Sequence, residues 1–188
     1  MSDAQNTLER RRRVHLSPRL CTVVNYLTDL SVELGGAVFK NPVMPASGTY
    51  DYFENNADCF PVSELGAVMI KSVHRLLRRP GNPGPRIAEV CGGMLNCVGI
   101  PSVGIEAFLR DELPRYENIG TQVILSISGS EPVHYAEIAE LVGDDPRIAA
   151  LEMNLSCPNV GSGLPFSSDP QLLYDTVRQT RLRTTLPL

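Results

Sequence analysis

Apolar positions along this chain form two patterns, short continuous runs and stripes with helical spacing. The runs Ala67–Lys71, Gln122–Ile127 and Ile148–Leu155 are nearly continuous, which is typical of parallel strands covered by helices. Helices are predicted between and after them, over Val103–Tyr116, Pro132–Val142 and Pro170–Arg183. Alternating strands and helices indicate a parallel α/β architecture, either a barrel or an open sheet.

Two local signals support the helices. An apolar stripe with the spacing i, i+3, i+4, i+7 runs along the second helix, through Tyr135, Ile138, Ala139 and Val142. Asp169 and Pro170 have the character of an N-cap and the proline tolerated at the first helical position. Both signals favour helices that pack one face against a core.

The first half of the chain predicts a hairpin before the α/β pattern. Ser31–Leu34 and Ala37–Lys40 flank Gly35–Gly36, and a glycine pair supplies the positive φ angles of a two-residue turn. A short strand is expected over Asn41–Gly48 and a helix over Tyr52–Cys59. Residues 1–30, which include four consecutive arginines, are expected to be an N-terminal extension that is disordered or foreign to the fold.

Polar residues gather where the predicted strands end. They are Ser47, Lys71, Ser126, Ser128, Asn154 and Cys157. The carboxyl ends of the strands are the face on which (β/α)8 barrels build their active sites. The chain has no G-x-G-x-x-G turn of the kind that open dinucleotide-binding sheets carry. A barrel is therefore the predicted fold.

Strand parity divides the residues of the last predicted strand between two faces. Side chains alternate along a strand, so one set shares the barrel interior and the other shares the helix layer. The predicted interior set is Glu152, Asn154 and Ser156, and the predicted helix-facing set is Leu151, Met153 and Leu155. A carboxamide inside the barrel can offer donors and an acceptor to a planar ligand.

Composition removes several classes of function. The 188 residues are 43% hydrophobic with a net charge of −4, so neither nucleic acid nor an anionic membrane is an expected partner. No apolar run has the length of a membrane span. Five cysteines without C-x-x-C spacing favour reduced thiols in the cytoplasm, and three scattered histidines make a zinc or iron site unexpected.

A long Gly/Pro-rich excursion, Arg78–Val103, separates two of the predicted elements. Its length favours a functional loop, and its glycines indicate backbone folded tightly against something flat. Within and around this excursion, four segments carry recognisable motifs in a consistent order: Asn41–Gly48, Gly66–Ser72, Gly81–Gly99 and Asn154–Val160. Together they resemble class 1 dihydroorotate dehydrogenases, most closely the NAD-linked 1B catalytic subunit.

The resemblance implies oxidation of dihydroorotate to orotate on non-covalent FMN in pyrimidine biosynthesis. Cys157 would be the catalytic base, and Gly161–Gly163 would belong to the mobile loop that carries it. The implied substrate-binding residues are Lys71, Met94, Leu95, Asn96, Asn154 and Asn159. The implied cofactor-binding residues are Ala46, Ser47, Gly48, Lys71, Ser72, Ser126 and Asn154.

The resemblance also implies partner subunits, and it indicates how much of a complete barrel the chain provides. A 1B catalytic subunit forms a homodimer within a heterotetramer and passes electrons to NAD⁺ through a subunit that carries FAD and an iron–sulfur cluster. A barrel takes about 250 residues, and residues 31–188 provide about four βα units. The chain is thus expected to be the N-terminal half of an FMN-binding barrel, with doubtful activity by itself. The alternatives are a related dihydropyrimidine dehydrogenase-type flavoprotein and an inactive fragment.

Overall fold

The computed structural model of the chain describes residues 28–50, 60–76, 79–156 and 165–188. The strands within these ranges are β1 (Val32–Leu34), β2 (Ala37–Phe39), β3 (Ala67–His74), β4 (Ile87–Val90), β5 (Gly93–Asn96), β6 (Gln122–Ser128) and β7 (Ala150–Met153). The main helices are α1 (Ile105–Ala107), α2 (Pro132–Val142) and α3 (Pro170–Arg181). Helix α1 continues as a π-helical turn over Phe108–Glu112 and a 3₁₀ turn over Leu113–Tyr116, and further 3₁₀ turns cover Val62–Glu64 and Phe166–Ser168. Among the described residues, no helix combines the length and apolar character that crossing a membrane requires.

The central sheet has the strand order β3-β6-β7, and both pairs are parallel. Helix α1 and its continuation lie between β3 and β6 in the chain, and α2 lies between β6 and β7. This β-α-β-α-β-α order is the repeating arrangement of a (β/α)8 barrel. The predicted parallel α/β architecture is confirmed.

Two apolar clusters lie on opposite faces of this sheet, as strand parity requires. The larger one joins alternate strand residues such as Val68, Leu125 and Leu151 to helix residues such as Phe108 and Ile138. The smaller one lies on the other face, where Phe39, Ala67, Met69 and Ile124 form its buried centre. Because Phe39 belongs to the antiparallel hairpin β1–β2, this hairpin covers the base of the interior face.

The longer helices α2 and α3 each have an identifiable cap, and the cap of α3 was predicted. The Asp169 carboxylate accepts hydrogen bonds from the backbone nitrogens of Gln171 (2.9 Å) and Leu172 (3.2 Å), so it caps α3 as expected. Helix α2 ends at Gly143, whose φ of 60° is the left-handed conformation that closes many helices. The predicted stripe of α2 is confirmed, since its four residues are all buried: Tyr135, Ile138, Ala139 and Val142.

Three predicted strand limits differ from the structure. Asn41–Gly48 forms no regular strand, because Pro42 and Pro45 have no backbone N–H to donate to a ladder. Its link to the sheet is a single described backbone bond, from the Gly66 nitrogen to the Val43 oxygen at 2.8 Å. Strand β3 continues three residues beyond Lys71 to His74, and β7 is shorter than the predicted Ile148–Leu155. Three parallel strands are therefore described, where four were expected.

The excursion contains an unpredicted antiparallel hairpin. Strands β4 and β5 pair with Ile87 opposite Asn96 and Val90 opposite Gly93. All eight residues of the two strands are exposed. Several predictions lie outside the described residues: the helix over 52–59, the roles of Cys157 and Asn159, and the loop at 161–163. Residues 1–27 also lie outside them, and the boundary near residue 30 stays a prediction.

Candidate active site at the carboxyl end of the sheet

A β-bulge shapes the carboxyl end of β3. Ile70 pairs with Leu125 and Val73 pairs with Ile127, so the two residues Lys71 and Ser72 stand opposite Ser126 alone. The extra residue shifts the alternation of side chains by one position. As a result Lys71 is exposed, while Ser72 is buried at 6% exposure on the same side as Ser126.

The three strands are joined here by a chain of polar side chains. The Oγ atoms of Ser72 and Ser126 are 2.8 Å apart, and Asn154 Nδ2 donates to Ser72 Oγ at 3.0 Å. Strand β6 lies between β3 and β7, so Asn154 reaches across the interior face of the sheet to Ser72. This confirms the parity prediction that Asn154 faces the interior, opposite the helix-packed residues Leu151 and Met153.

The backbone of Asn154 is held as firmly as its side chain. Its nitrogen donates to the Ile127 oxygen at 2.9 Å, and its oxygen accepts the buried Tyr135 hydroxyl at 2.7 Å. Asn154 is therefore held by three hydrogen bonds, two through its backbone and one through its side chain.

Further along β6, the Ser128 hydroxyl is fully buried and has no hydrogen-bond partner among the described residues.

A cavity of about 700 Å³ opens beside the bulge. This is within the usual size range of small-molecule sites. Its lining includes Gly48, Lys71 and Ser72, together with Arg79 and Arg115. Gly48 has a φ of 74°, and a Cβ at this position would lie 3.3 Å from Lys71 Nζ, so the glycine lets the lysine lie across the loop. Among the described residues of the lining, three side chains are basic (Lys71, Arg79 and Arg115) and one is acidic (Glu112).

Ala46 and Ser47 lead into this loop. The Ala46 oxygen accepts bonds from both the Thr49 nitrogen (3.2 Å) and the Thr49 hydroxyl (2.7 Å), which closes a tight turn around Ser47 and Gly48. The turn brings Gly48 to Lys71 but makes no described contact with Asn154. Its expected role of presenting backbone to a flavin stays a prediction.

The excursion is held at its base by its own residues. Arg86 Nη2 donates to the Pro80 oxygen at 2.9 Å, and Asn82 Nδ2 lies 3.2 Å from the Cys97 oxygen and 2.9 Å from its Sγ. A Cβ on Gly99 would lie 2.5 Å from Asn82 Oδ1. The predicted tight packing of glycine occurs at Gly99, which packs against Asn82.

The residues between these anchors point into open space. Met94 and Leu95 are 62% and 64% exposed, and Asn96 is exposed as well. Among the described residues, no hydrogen bond connects these three side chains to Lys71 or Asn154. The structure thus brings together Gly48, Lys71, Ser72, Ser126 and Asn154, and it leaves the hairpin residues apart from them.

Sequence reasoning missed a buried histidine next to this site. His74 ends β3 with no exposed surface, accepts the Leu76 N–H at Nδ1 (3.2 Å) and lies 3.4 Å from the Ser130 hydroxyl at Nε2. Burial, with smaller contributions from the nearby Arg79 and His134, lowers the pKa of His74 to about 4. The imidazole is neutral at pH 7. The strand was expected to end at Lys71, which hid this residue.

The sequence of the chain is similar to those of known proteins. The sequence profile of the dihydroorotate dehydrogenase family matches residues 29–188. The chain belongs to the dihydroorotate dehydrogenase family. The family resemblance and the (β/α)8 barrel predicted for the chain are both confirmed, and the parallel sheet with its helices is part of that barrel.

Relatives of this family member are described as the catalytic subunit of dihydroorotate dehydrogenase B (NAD⁺). The protein from Geotalea uraniireducens is 42% identical over 161 residues, which are 85% of this chain and 52% of that protein. The proteins from Pelobacter propionicus (43% over 161 residues; 85% and 53%) and Desulforudis audaxviator (43% over 159 residues; 84% and 52%) are similar in the same way. The chain spans about half the length of these relatives.

Proposed function

We propose that this chain supplies part of the active site of a cytoplasmic flavoenzyme that oxidises dihydroorotate to orotate in pyrimidine biosynthesis. The observation that carries the proposal is the interior chain Ser126–Ser72–Asn154 next to the exposed Lys71. These residues come from three successive strands of a barrel whose family is dihydroorotate dehydrogenase. Relatives named as dihydroorotate dehydrogenase catalytic subunits favour this substrate over other dihydropyrimidines.

The residues present fit a flavin in their chemistry. The pyrimidine edge of an isoalloxazine ring alternates carbonyl acceptors with a ring N–H, and it becomes negative when the ring is reduced. Asn154 can offer a donor and an acceptor to such an edge, and the Lys71 ammonium can balance the negative charge. FMN would be held by these two residues, by the turn Ala46–Gly48, and by Ser72 and Ser126 from the sheet. When bound, FMN supplies the hydride acceptor.

The substrate side of the proposal rests on the family resemblance. Cys157 would remove the proton from C5 of dihydroorotate while the hydride leaves C6, which forms the C5–C6 double bond of orotate. A thiol has an ordinary pKa of about 8.5 and becomes an effective base once its surroundings lower that pKa. Asn96, Asn154 and Asn159 would hydrogen-bond the ring and carboxylate of the substrate, and Met94 and Leu95 would cover it.

The name of the relatives as catalytic subunits supports a partner chain. We propose that electrons leave through a second subunit that carries FAD and an iron–sulfur cluster, with NAD⁺ as acceptor. Two copies of the catalytic subunit and two of the partner would form the complex. Purification of the native complex, followed by measurement of its iron and flavin content, tests this assembly.

The test of the activity uses the complete open reading frame that contains this sequence. Anaerobic addition of dihydroorotate to the FMN-loaded protein should bleach the flavin absorption. Cys157→Ala should slow this bleaching by about 10²–10⁴-fold, the usual contribution of a general base, with FMN content unchanged. Cys91→Ala is the matched control, because Cys91 is a free, exposed cysteine on the hairpin and should have no effect.

Two outcomes would contradict the proposal. A protein that binds FMN but is not reduced by dihydroorotate would refute the substrate. Unchanged bleaching in Cys157→Ala would refute the assignment of the base while leaving the substrate in place.

A further inference from the structure

We infer that Ser72 and Ser126 are positioning residues that set the orientation of the Asn154 carboxamide. Neither hydroxyl needs to contact the reacting atoms for this role, which rests on the proposed function for its ligand. The evidence is the unbroken chain from Asn154 Nδ2 to Ser72 Oγ (3.0 Å) to Ser126 Oγ (2.8 Å), in which both serines are buried.

The direction of this chain decides which way the carboxamide faces. A hydroxyl has one proton to donate and can accept from two sides. Ser72 accepts the Nδ2–H of Asn154, which leaves its own proton available for donation to Ser126, whose Oγ lies 2.8 Å away. If Ser126 donated to Ser72 instead, Ser72 could turn its proton to Asn154 and would favour the flipped amide. Ser126, which touches neither atom of the carboxamide, therefore biases its orientation.

The β-bulge is what makes this arrangement available. With regular alternation Lys71 would share the interior face with Met69, and Ser72 would face the helices. The one extra residue opposite Ser126 turns Ser72 inward and leaves Lys71 exposed beside Gly48. One backbone irregularity thus places a positive charge at the cavity and a hydroxyl behind the carboxamide.

The consequence for a ligand is a fixed pattern of donors and acceptors. One Nδ2–H is used by Ser72, so Asn154 presents Oδ1 as an acceptor and its second Nδ2–H as a donor. A ring edge with an N–H next to a carbonyl matches this pattern, and both a flavin and dihydroorotate have such edges. A ring edge with the two groups exchanged would require the amide to flip and break the bond to Ser72.

The direct test is a nuclear magnetic resonance measurement on the complete, isotope-labelled protein without added ligand. The side-chain NH₂ signals of Asn154 are assigned by their disappearance in Asn154→Asp. In the unmodified protein, one of the two protons should be shifted and slow to exchange with solvent, because it is bonded to Ser72. In Ser72→Ala both signals should move toward those of the exposed Asn96, and exchange should accelerate by about tenfold, the effect of one neutral hydrogen bond.

Two further variants keep the test decisive. Ser126→Ala removes the far member of the chain and should shift the same signals by a smaller amount, which decides the case if Ser72→Ala fails to fold. Ser128→Ala is the matched control, since this buried serine on the same strand has no partner among the described residues and should leave Asn154 unchanged. Unaltered Asn154 signals in Ser72→Ala and Ser126→Ala would overturn the inference, and so would an equal shift in Ser128→Ala.

Binding experiments separate this inference from the proposed function. Ser72→Ala should weaken orotate binding to the FMN-loaded protein by about tenfold, while Ser128→Ala should not. If orotate fails to bind the unmodified protein, the proposed substrate is wrong, yet the resonance result still stands. If orotate binds equally well to all variants while the Asn154 signals shift, Ser72 orients the amide without a role in recognition, which overturns the functional half of the inference.

Discussion

The carboxyl end of the sheet and the β4–β5 hairpin hold their candidate binding residues in opposite ways. At the sheet, Asn154 is bonded through its backbone and its side chain to Ile127, Tyr135 and Ser72. On the hairpin, Met94 and Leu95 are mostly exposed, as are the other residues of its two strands. The first region is held by hydrogen bonds to buried residues, whereas the described side-chain contacts of the second lie at its base.

The difference indicates a division of labour. Buried, interlocked polar groups give orientation, because moving them would leave unpaired donors in the interior. Burying an exposed apolar side chain under a ligand or a covering segment is favourable. The gain in free energy is about 1.5–3 kcal/mol for a side chain that becomes fully buried. We expect selectivity to come from the sheet end and closure over the substrate to come from the hairpin.

The largest expected effect on stability comes from a core substitution in the sheet, the first of the two regions. Leu125 is fully buried at the centre of β6, between the strand partners and the helices. Leu125→Ala should lower the free energy of unfolding by about 4 kcal/mol through lost burial and the cavity that remains. Urea unfolding followed by circular dichroism measures this, and a loss below about 1 kcal/mol would show that the sheet is not the rigid region.

The next effect is a dependence of stability on pH. The pKa of His74 is lowered to about 4 in the folded protein from an ordinary value of 6.5. Between pH 6.5 and pH 4 the unfolded chain binds a proton at His74, whereas the folded chain does not. The contribution of His74 to the free energy of unfolding is therefore fully present above pH 6.5 and is lost as the pH falls toward 4. The loss from this group should be roughly 3 kcal/mol.

Replacement of the histidine checks this origin. His74→Asn keeps an acceptor near the Leu76 N–H and cannot titrate. Urea unfolding at a series of pH values should show a weaker loss of stability in the variant over the same interval. An identical loss in both proteins would mean that other groups cause it.

A smaller effect concerns the base of the hairpin. Gly99 has a φ of 80°, and a Cβ there would lie 2.6 Å from the Asn82 nitrogen. Gly99→Ala should therefore cost about 2 kcal/mol and release the hairpin, seen as faster proteolysis between 81 and 99. Gly92→Ala is the control, because Gly92 has a similar φ of 73° but no atom near its would-be Cβ. Equal effects would show that backbone strain alone, and not packing on Asn82, sets the cost.

The smallest expected effect on stability is at the hairpin tip. Leu95→Ala should change the free energy of unfolding by less than about 0.5 kcal/mol, because the side chain is 64% exposed. The same variant should raise the KM for dihydroorotate if Leu95 covers the substrate. Urea unfolding together with steady-state kinetics separates the two effects, and a large loss of stability would contradict the account of the hairpin as unsupported.

Much of the fold could be predicted from the chain because its periodicity is local. The stripe of α2 and the cap of α3 depend on residues within a few positions of each other, and both are confirmed. Parity on β7 placed Asn154 correctly for the same reason. The bulge at Lys71–Ser72 could not be predicted in this way, because it is set by pairing with β6, more than 50 residues away in the sequence.

Two other features were not predicted, and the first of them depends on a long-range contact. The Asp144 carboxylate accepts bonds from Thr184 Oγ1 (2.5 Å) and Thr185 Oγ1 (2.6 Å), some 40 residues later, and these bonds lower the pKa of Asp144 to about 2. The hairpin β4–β5 carried a turn signal in Gly92–Gly93, but the many glycines and prolines of the surrounding excursion hid its two short strands. A distant partner decided the first feature, whereas the composition of the excursion hid the second.

Amide hydrogen exchange on the unliganded protein tests the central contrast most directly. The amides of Leu125, Ile127 and Asn154 should exchange only with global unfolding, whereas those of Leu95 and Asn96 should exchange through local opening of the hairpin, at least about 10²-fold faster. Equal protection of the two regions would contradict the claim that the sheet end is preformed and the hairpin is not.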